Sequence, residues 1–389
     1  MESLRIAMLY ELGPTDDGAF LGGIESHILG LAKYLSRDHR VWLITGGIPG
    51  SSDRVEMEGF TLVRSDILGL VSRSWDPTNL TLQRQLFSIP AFLTKAVAID
   101  ADVYHGHIYA SGFAALGAAS LRSAASVNTI HGSYYDHWGA ITGSTIKSLA
   151  YRAAERNLAA FLAKRCDKQI HTATDFAEKV ISWGGPEEDI EVVLNGVDTE
   201  AFSPRVEPEE SHELPVVMTV RRLVPKNGVQ FFVEACREVR SECQFIVVGD
   251  GPERARLEDL SRRLGVTDRL EFRGAVPNNR LPGLLSAADV VVVPSLVEAS
   301  SISLLEAMAM GKPTVVTKIP GIDEVASPER SVMVPPGDPS SLAHAVEGLL
   351  SDHRTADRLA RRGRRYVVAE RSVEKVADRT LAIYREAIG

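Results

Sequence analysis

The stretch ADVVVVPSLVEASSISLLEAMAMG (288–311) sets four consecutive valines against Pro294 and Ser295, then a short loop, then an apolar run closed by Gly311. Valines in series that stop at Pro and Ser read as the end of a buried strand, and ISLLEAMAM followed by Gly reads as a helix and its terminator. On that reading Glu298 lies in the loop above the strand end, and Glu306 lies one turn into the helix. A helix N-terminus attracts anions, so two carboxylates beside it need a reason. Taken alone, the segment also fits a solvated loop acid and an ordinary helix-start acid. The rest of the chain decides between them.

Outward from this segment the same plan recurs. The second half carries PVVMTV (215–220), QFIVVGDG (244–251), RLEFRG (269–274), PTVVTK (313–318) and SVMVPP (331–336) around the valine run. The first half carries RIAMLY (5–10), RVWLIT (40–45), DVYHGH (102–107), SVNTIHG (126–132), KQIHTA (168–173) and IEVVLNG (190–196). Near-continuous branched apolar content points to parallel strands buried on both faces. Between the first two strands, Ile24, Ile28, Leu31, Ala32 and Leu35 fall at helical spacing. The expected fold is therefore α/β, with two doubly wound, Rossmann-like domains. The expected bounds are 1–198 and 214–373, joined by a Pro- and Glu-rich linker at 199–213, with a last helix at about 374–389 returning to the N-terminal domain. In such sheets ligands bind beyond the carboxyl ends of the strands. Gly22-Gly23, His105, His107, His131, Asn195, Arg222, Gly249-Asp250-Gly251, Gly274 and Glu298 all follow strand ends, which suggests a site facing an inter-domain cleft.

Bulk properties narrow the class. The chain has 389 residues and a net charge of −8, so no nucleic-acid partner is expected. Cys166, Cys236 and Cys243 show no CxxC spacing and fit a reducing compartment. The opening MESLRIAMLYELG carries Glu2, Arg5 and Glu11, unlike the apolar region of a signal peptide. The expected location is the cytoplasm or the inner face of a membrane. The helix TIKSLAYRAAERNLAAFLAKRC (145–166) has five cations against Glu155 alone. It is read as a solvated face, with peripheral membrane contact as the alternative.

Several loops could carry chemistry. Gly22 and Gly23 open a helix and would let backbone N–H groups approach a phosphate. Arg221, Arg222 and Lys226 lie in VRRLVPKNG (220–228), where an arginine fork and a lysine suit phosphate oxygens. His105, His107, His131 and His137 raise a metal site, but nothing fixes a third ligand and a second shell. Asp100 and Asp102 form a DxD, yet it precedes a strand, at the end away from the expected cleft.

In their order, GGIESH, DVYHGH, TIHG, NGVD, VRRLVPKNG, GDGPER, FRG, VVVPS and E298…E306-AMAMG resemble the retaining GT-B glycosyltransferases of glycosyltransferase family 4. The resemblance implies transfer of a sugar from a nucleoside-diphosphate sugar to an acceptor hydroxyl, with no cofactor and no essential metal. It places Glu298 on donor-sugar hydroxyls and Glu306 on the two ribose hydroxyls. Ser301, Ile302 and Ser303 would offer backbone N–H groups to the pyrophosphate. His131 would contact the transferred sugar, Arg222 the leaving phosphate and Gly23 that phosphate from the other domain, with Val276 near the base. The acceptor is left open, a lipid-linked or cell-envelope glycan being one option. The chain departs from the family's RLxPxKG pattern: Asn227 stands in the lysine register and Lys226 one place earlier. Either Lys226 reaches the phosphate, the expectation adopted here, or Asn227 replaces the charge, or activity is weakened. The alternatives in function are a non-catalytic sugar-nucleotide-binding subunit and a GT-B epimerase.

Overall fold

The computed structural model describes residues 2–389 except 17, 19, 21, 48–49, 66–81 and 140–142, and only the backbone of 82–87. The described residues form two compact units. The first comprises residues 1–20, 27–194 and 376–389, and the second comprises 21–26 and 195–375.

The second unit is built on six parallel strands: β9 (Val216–Val220), β10 (Gln244–Val248), β11 (Leu270–Gly274), β12 (Val290–Val293), β13 (Thr314–Thr317) and β14 (Val332–Val334). Their order is β11-β10-β9-β12-β13-β14. Successive strand residues point to opposite faces, and both faces are covered. Val216, Met218, Ile246, Val248, Val291 and Val293 pack against Leu304, Leu305, Met308 and Val367. Val217, Phe245, Val247, Val290 and Val292 pack against Phe232, Val233, Leu342, Val346 and Leu349 on the other side. This double burial is why the valine run shows no alternation of polar and apolar residues. Residues 199–213 lie with this unit. Phe202 and Val206 join its core, and the Ser286 hydroxyl donates to the Val206 carbonyl at 2.6 Å.

The first unit has an eight-stranded sheet ordered β3-β4-β2-β1-β5-β6-β7-β8 among the described residues. The strands are β1 (Arg5–Leu9), β2 (Arg40–Gly46), β3 (Arg54–Glu56), β4 (Thr61–Ser65), β5 (Val103–His107), β6 (Ala125–Ile130), β7 (Lys168–His171) and β8 (Ile190–Val192). All pairs are parallel except β3 with β4. That edge hairpin was not expected from sequence, because RVE and TLVRS are short and carry charge. It is held by Arg64, a fully buried side chain. Its guanidinium donates to the carbonyls of Ser52 and Pro14 and pairs with Asp16. The DxD acids serve the opposite, N-terminal edge of this sheet: Arg5 at the start of β1 pairs with both Asp100 and Asp102.

The helix Val373–Ile388 turns Val376, Ala377, Thr380, Ile383 and Tyr384 inward. The Tyr384 hydroxyl bonds His105 Nδ1 at 2.6 Å, and Arg379 pairs with Glu191 at 2.6 Å. Among the described residues no helix is long and apolar enough to cross a membrane.

Candidate functional site

In the second unit, the loops after β9 and β12 meet. Gly228 has φ +64°, and a β-carbon there would lie 2.0 Å from the Pro294 carbonyl oxygen. Only glycine permits both that backbone conformation and that approach. The turn 225–228 consequently rests on the end of β12, and the Lys226 carbonyl accepts from Leu296 N at 2.8 Å and Val297 N at 3.2 Å. This contact fixes the loop that carries Glu298.

The helix Ile302–Ala309 follows, with Ser301 as its N-cap: the Ser301 hydroxyl accepts from Leu304 N at 3.4 Å. The first N–H groups of a helix have no partner inside it and point outward from its start. Arg221, the residue after β9, lies beside this helix start. Its Nη1 donates to Ser301 Oγ at 3.2 Å and Ser303 Oγ at 3.0 Å. Its Nη2 donates to Asn227 Oδ1 at 2.9 Å, to Ser295 Oγ at 2.7 Å and to the Glu298 carboxylate.

The two glutamates have opposite electrostatics. Burial alone would raise Glu298, but the Arg221 guanidinium and the Lys226 ammonium outweigh it and hold the carboxyl below its ordinary range. Glu306 is 3% exposed, and one carboxylate oxygen accepts from Asn278 Nδ2 at 3.2 Å. Burial pushes its carboxyl up to about 8, against the smaller downward pull of Asn278 and Arg221. Without a ligand, then, Glu298 is ionised at neutral pH and Glu306 is mostly protonated.

Asn227 is buried and both ends of its amide are occupied, Oδ1 by Arg221 and Nδ2 by the Arg222 carbonyl at 2.8 Å. Arg222 lies close enough to Glu25 to oppose the upward push of burial on that carboxyl. Gly23 starts the helix Gly23–Leu35, and a β-carbon on it would lie 3.6 Å from the Ile302 side chain. Val276 is partly buried against the core. The structure thus brings Asn227, Ser295, Glu298, Ser301 and Ser303 around Arg221, with the Lys226 charge acting on Glu298. Glu306 is bonded to Asn278 instead and feels Arg221 only through space. Sequence reasoning noted Arg221 only as one of several loop cations and missed Ser295 and Asn278. No motif marks an asparagine 28 residues from its carboxylate partner.

His131 lies in the first unit, within a buried group of imidazoles. His107 Nδ1 and His131 Nε2 share a hydrogen bond of 2.9 Å, and the His27 ring meets His131 edge-on with centroids 4.9 Å apart. His105 is bonded at its two nitrogens by Tyr384 and, at 2.7 Å, by Thr129. Burial drives His27 down to about 4 and His105 to about 3. It also pushes His107 and His131 well below the ordinary range, with neighbouring imidazoles adding to the effect. All four rings are neutral at pH 7. Among the described residues His131 Nδ1 has no hydrogen-bond partner.

The family described as Glycosyltransferase Family 4 matches residues 21–201, and the one described as Glycosyl transferases group 1 matches residues 214–352. An uncharacterized glycosyltransferase of Methanocaldococcus jannaschii is 27% identical over 99% of both chains. Among solved structures, sucrose-phosphate synthase from Thermosynechococcus elongatus superposes with a TM-score of 0.81, at 22% identity over 98% of both chains. Anabaena HepE in complex with UDP-glucose superposes with a TM-score of 0.71, at 18% identity over 97% of this chain and 99% of that one. Identities this low speak for the fold, whereas the family models cover most of each half of the sequence. The chain belongs to glycosyltransferase family 4 and is a sugar-transferring enzyme of GT-B fold.

Proposed function

We propose that the enzyme moves a sugar from a nucleoside-diphosphate sugar to an acceptor hydroxyl with retention at the anomeric carbon, and that it needs no metal to do so. The observation that carries this reading is the helix start at Ser301, with Glu298 before it, Glu306 within it and the Arg221 guanidinium beside it. Outward N–H groups at Ser301, Ile302 and Ser303 suit a pyrophosphate. The Glu306 carboxylate has lone pairs for two ribose hydroxyls, with Val276 near the base. Glu298, ionised, accepts from hydroxyls of the transferred sugar. HepE, a structural relative, is known with UDP-glucose bound.

The reaction balances without a redox partner. The bond between the anomeric carbon and the diphosphate oxygen breaks, and the acceptor oxygen bonds that carbon on the same face. The acceptor proton passes to the departing diphosphate, and the products are a glycoside and a nucleoside diphosphate. Negative charge grows on the leaving group, so fixed cations and N–H dipoles near it lower the barrier. Arg222 and Lys226 take that role in this reading, and Gly23 allows close backbone approach to the phosphate. For His131 the proposed role is contact with the transferred sugar, supported by its neutral ring and unpartnered Nδ1.

Incubation with UDP-, GDP- and ADP-sugars tests the reading. Release of the nucleoside diphosphate, with a product of the donor's own anomeric configuration, is the expected result; unchanged donors across the panel would favour a binding subunit. A lipid-linked acceptor at an anionic membrane surface is proposed from the helix Thr145–Ala163. Ile146 (84% exposed) and Leu149 (69%) flank Lys147 on its outer surface. Ile146→Glu with Leu149→Glu should abolish co-sedimentation with phosphatidylglycerol vesicles; equal sedimentation would remove the membrane from the proposal.

A further inference from the structure

We propose that Arg221 is the cation that faces the donor's diphosphate at the start of the helix Ile302–Ala309, and that Asn227 is its positioning residue. This rests on the glycosyltransferase reading above. Asparagine in the lysine register leaves that position without charge, and Lys226 need not be the group that replaces it.

The Arg221 side chain is 8% exposed, and among the described residues Glu298 is the one acid paired with it. A buried guanidinium supporting a structural ion pair would be expected to have its donors spent. Here one donor is not: among the described residues Nε–H is buried without a partner, and the two protons on Nη2 are shared among three acceptors, Asn227 Oδ1, Ser295 Oγ and Glu298. Three of the five acceptors around the guanidinium are the hydroxyls of Ser295, Ser301 and Ser303. A hydroxyl that accepts from arginine can rotate to donate to an anion, so the surroundings need little rearrangement to receive phosphate oxygens. The helix dipole and outward N–H groups act on the same spot. When phosphate oxygens accept hydrogen bonds from the guanidinium, Glu298 loses part of its hold on Arg221 and is released toward the sugar.

Asn227 does not face a ligand, because its amide is used at both ends to fix the guanidinium to the Arg222 backbone. The charge missing at 227 thus stands at 221, held by the residue that replaced it. Lys226 acts on Glu298 through space and adds to the same field.

The test compares UDP, GDP and ADP with their free nucleosides by calorimetry, on the full chain and on Arg221→Met, Asn227→Ala, Lys226→Ala and the double variant Arg221→Met/Asn227→Lys. Arg221→Met should weaken the nucleoside diphosphate by about 10- to 150-fold and lower turnover by about 100- to 1000-fold, with nucleoside affinity falling far less, through the lost pull of Arg221 on Glu306. Asn227→Ala should give a smaller loss of the same kind. The double variant, with a lysine restored at 227, should recover part of the diphosphate affinity. The proposal fails if Arg221→Met binds the diphosphate as the parent does. It also fails if nucleoside and diphosphate weaken equally, the mark of a structural role, or if Lys226→Ala is the more damaged variant. A parent chain that binds none of the three diphosphates would instead overturn the glycosyltransferase reading itself.

Discussion

Replacing Glu306 by Gln should remove a pH dependence as well as an affinity. Burial holds the carboxyl of Glu306 at about 8 in the free protein. At pH 7 only about one molecule in eleven carries the carboxylate, and at pH 9 about ten in eleven do. Ribose hydroxyls are donors and select the ionised form, and apparent affinity scales with the competent fraction. Nucleoside binding by the parent should therefore tighten about tenfold from pH 7 to pH 9. Glutamine keeps one carbonyl acceptor and no charge, so the variant should show a flat profile. A hydrogen bond to a charged acceptor is worth about 1.5–3 kcal/mol, so at pH 9 the variant should bind about 10- to 150-fold more weakly. Near pH 7 the gap should narrow by about the same tenfold, because the parent must first lose a proton.

Calorimetry with a free nucleoside avoids the titration of the phosphates, and repeating it in two buffers of different ionisation enthalpy counts the proton released. Thermal stability gives a second readout. A folded-state value raised above the ordinary one contributes stability that is present at low pH and lost as pH rises from about 4.5 to about 8. The melting temperature of Glu306→Gln relative to the parent should rise across that window. A parent whose nucleoside affinity is level from pH 6.5 to 9, or a glutamine variant with the parent's slope, would refute the reasoning.

Glu298→Gln should depress turnover far more than it depresses nucleoside-diphosphate affinity, since the proposed partner of that carboxylate is the sugar; equal losses in both would contradict the assignment. The neutral histidines predict an acid limit. Their folded values lie below 6.5, so their contribution is intact above that pH and is lost as pH falls toward the values of about 4 for His27 and 3 for His105. Denaturant titrations from pH 7 to 4 should show falling stability, with the fall reduced in His27→Gln; an unchanged slope in that variant would count against it. Tyr384→Phe strips His105 Nδ1 of its partner and should cost about 1–3 kcal/mol of stability, read as a lower denaturation midpoint. No shift would mean that the helix Val373–Ile388 is held by apolar packing alone.

Most strands of both sheets and some of the helices, among them Gly23–Leu35, Ile302–Ala309 and Val373–Ile388, were legible because their signals are local: valine runs stopped by proline, helical spacing, glycines at turns. The order of the motifs along the chain was equally legible, and it sufficed for the family. The hairpin at Arg54–Ser65 was not, since its short strands depend on Arg64 reaching carbonyls of distant loops. The two glutamates look alike in sequence, eight positions apart in one motif. Only packing made one an anion and left the other protonated, because charge depends on burial and on partners remote in the chain. Arg221 lies 77 residues from Glu298 and His105 lies 279 from Tyr384. Two adjacent arginines also give no local sign of which is enclosed. The turn of the chain at the end of β9 sends the Arg221 guanidinium among three hydroxyls, an amide and a carboxylate. Ionisation and orientation are set by the electrostatics of the packed interior, which no stretch of sequence contains by itself.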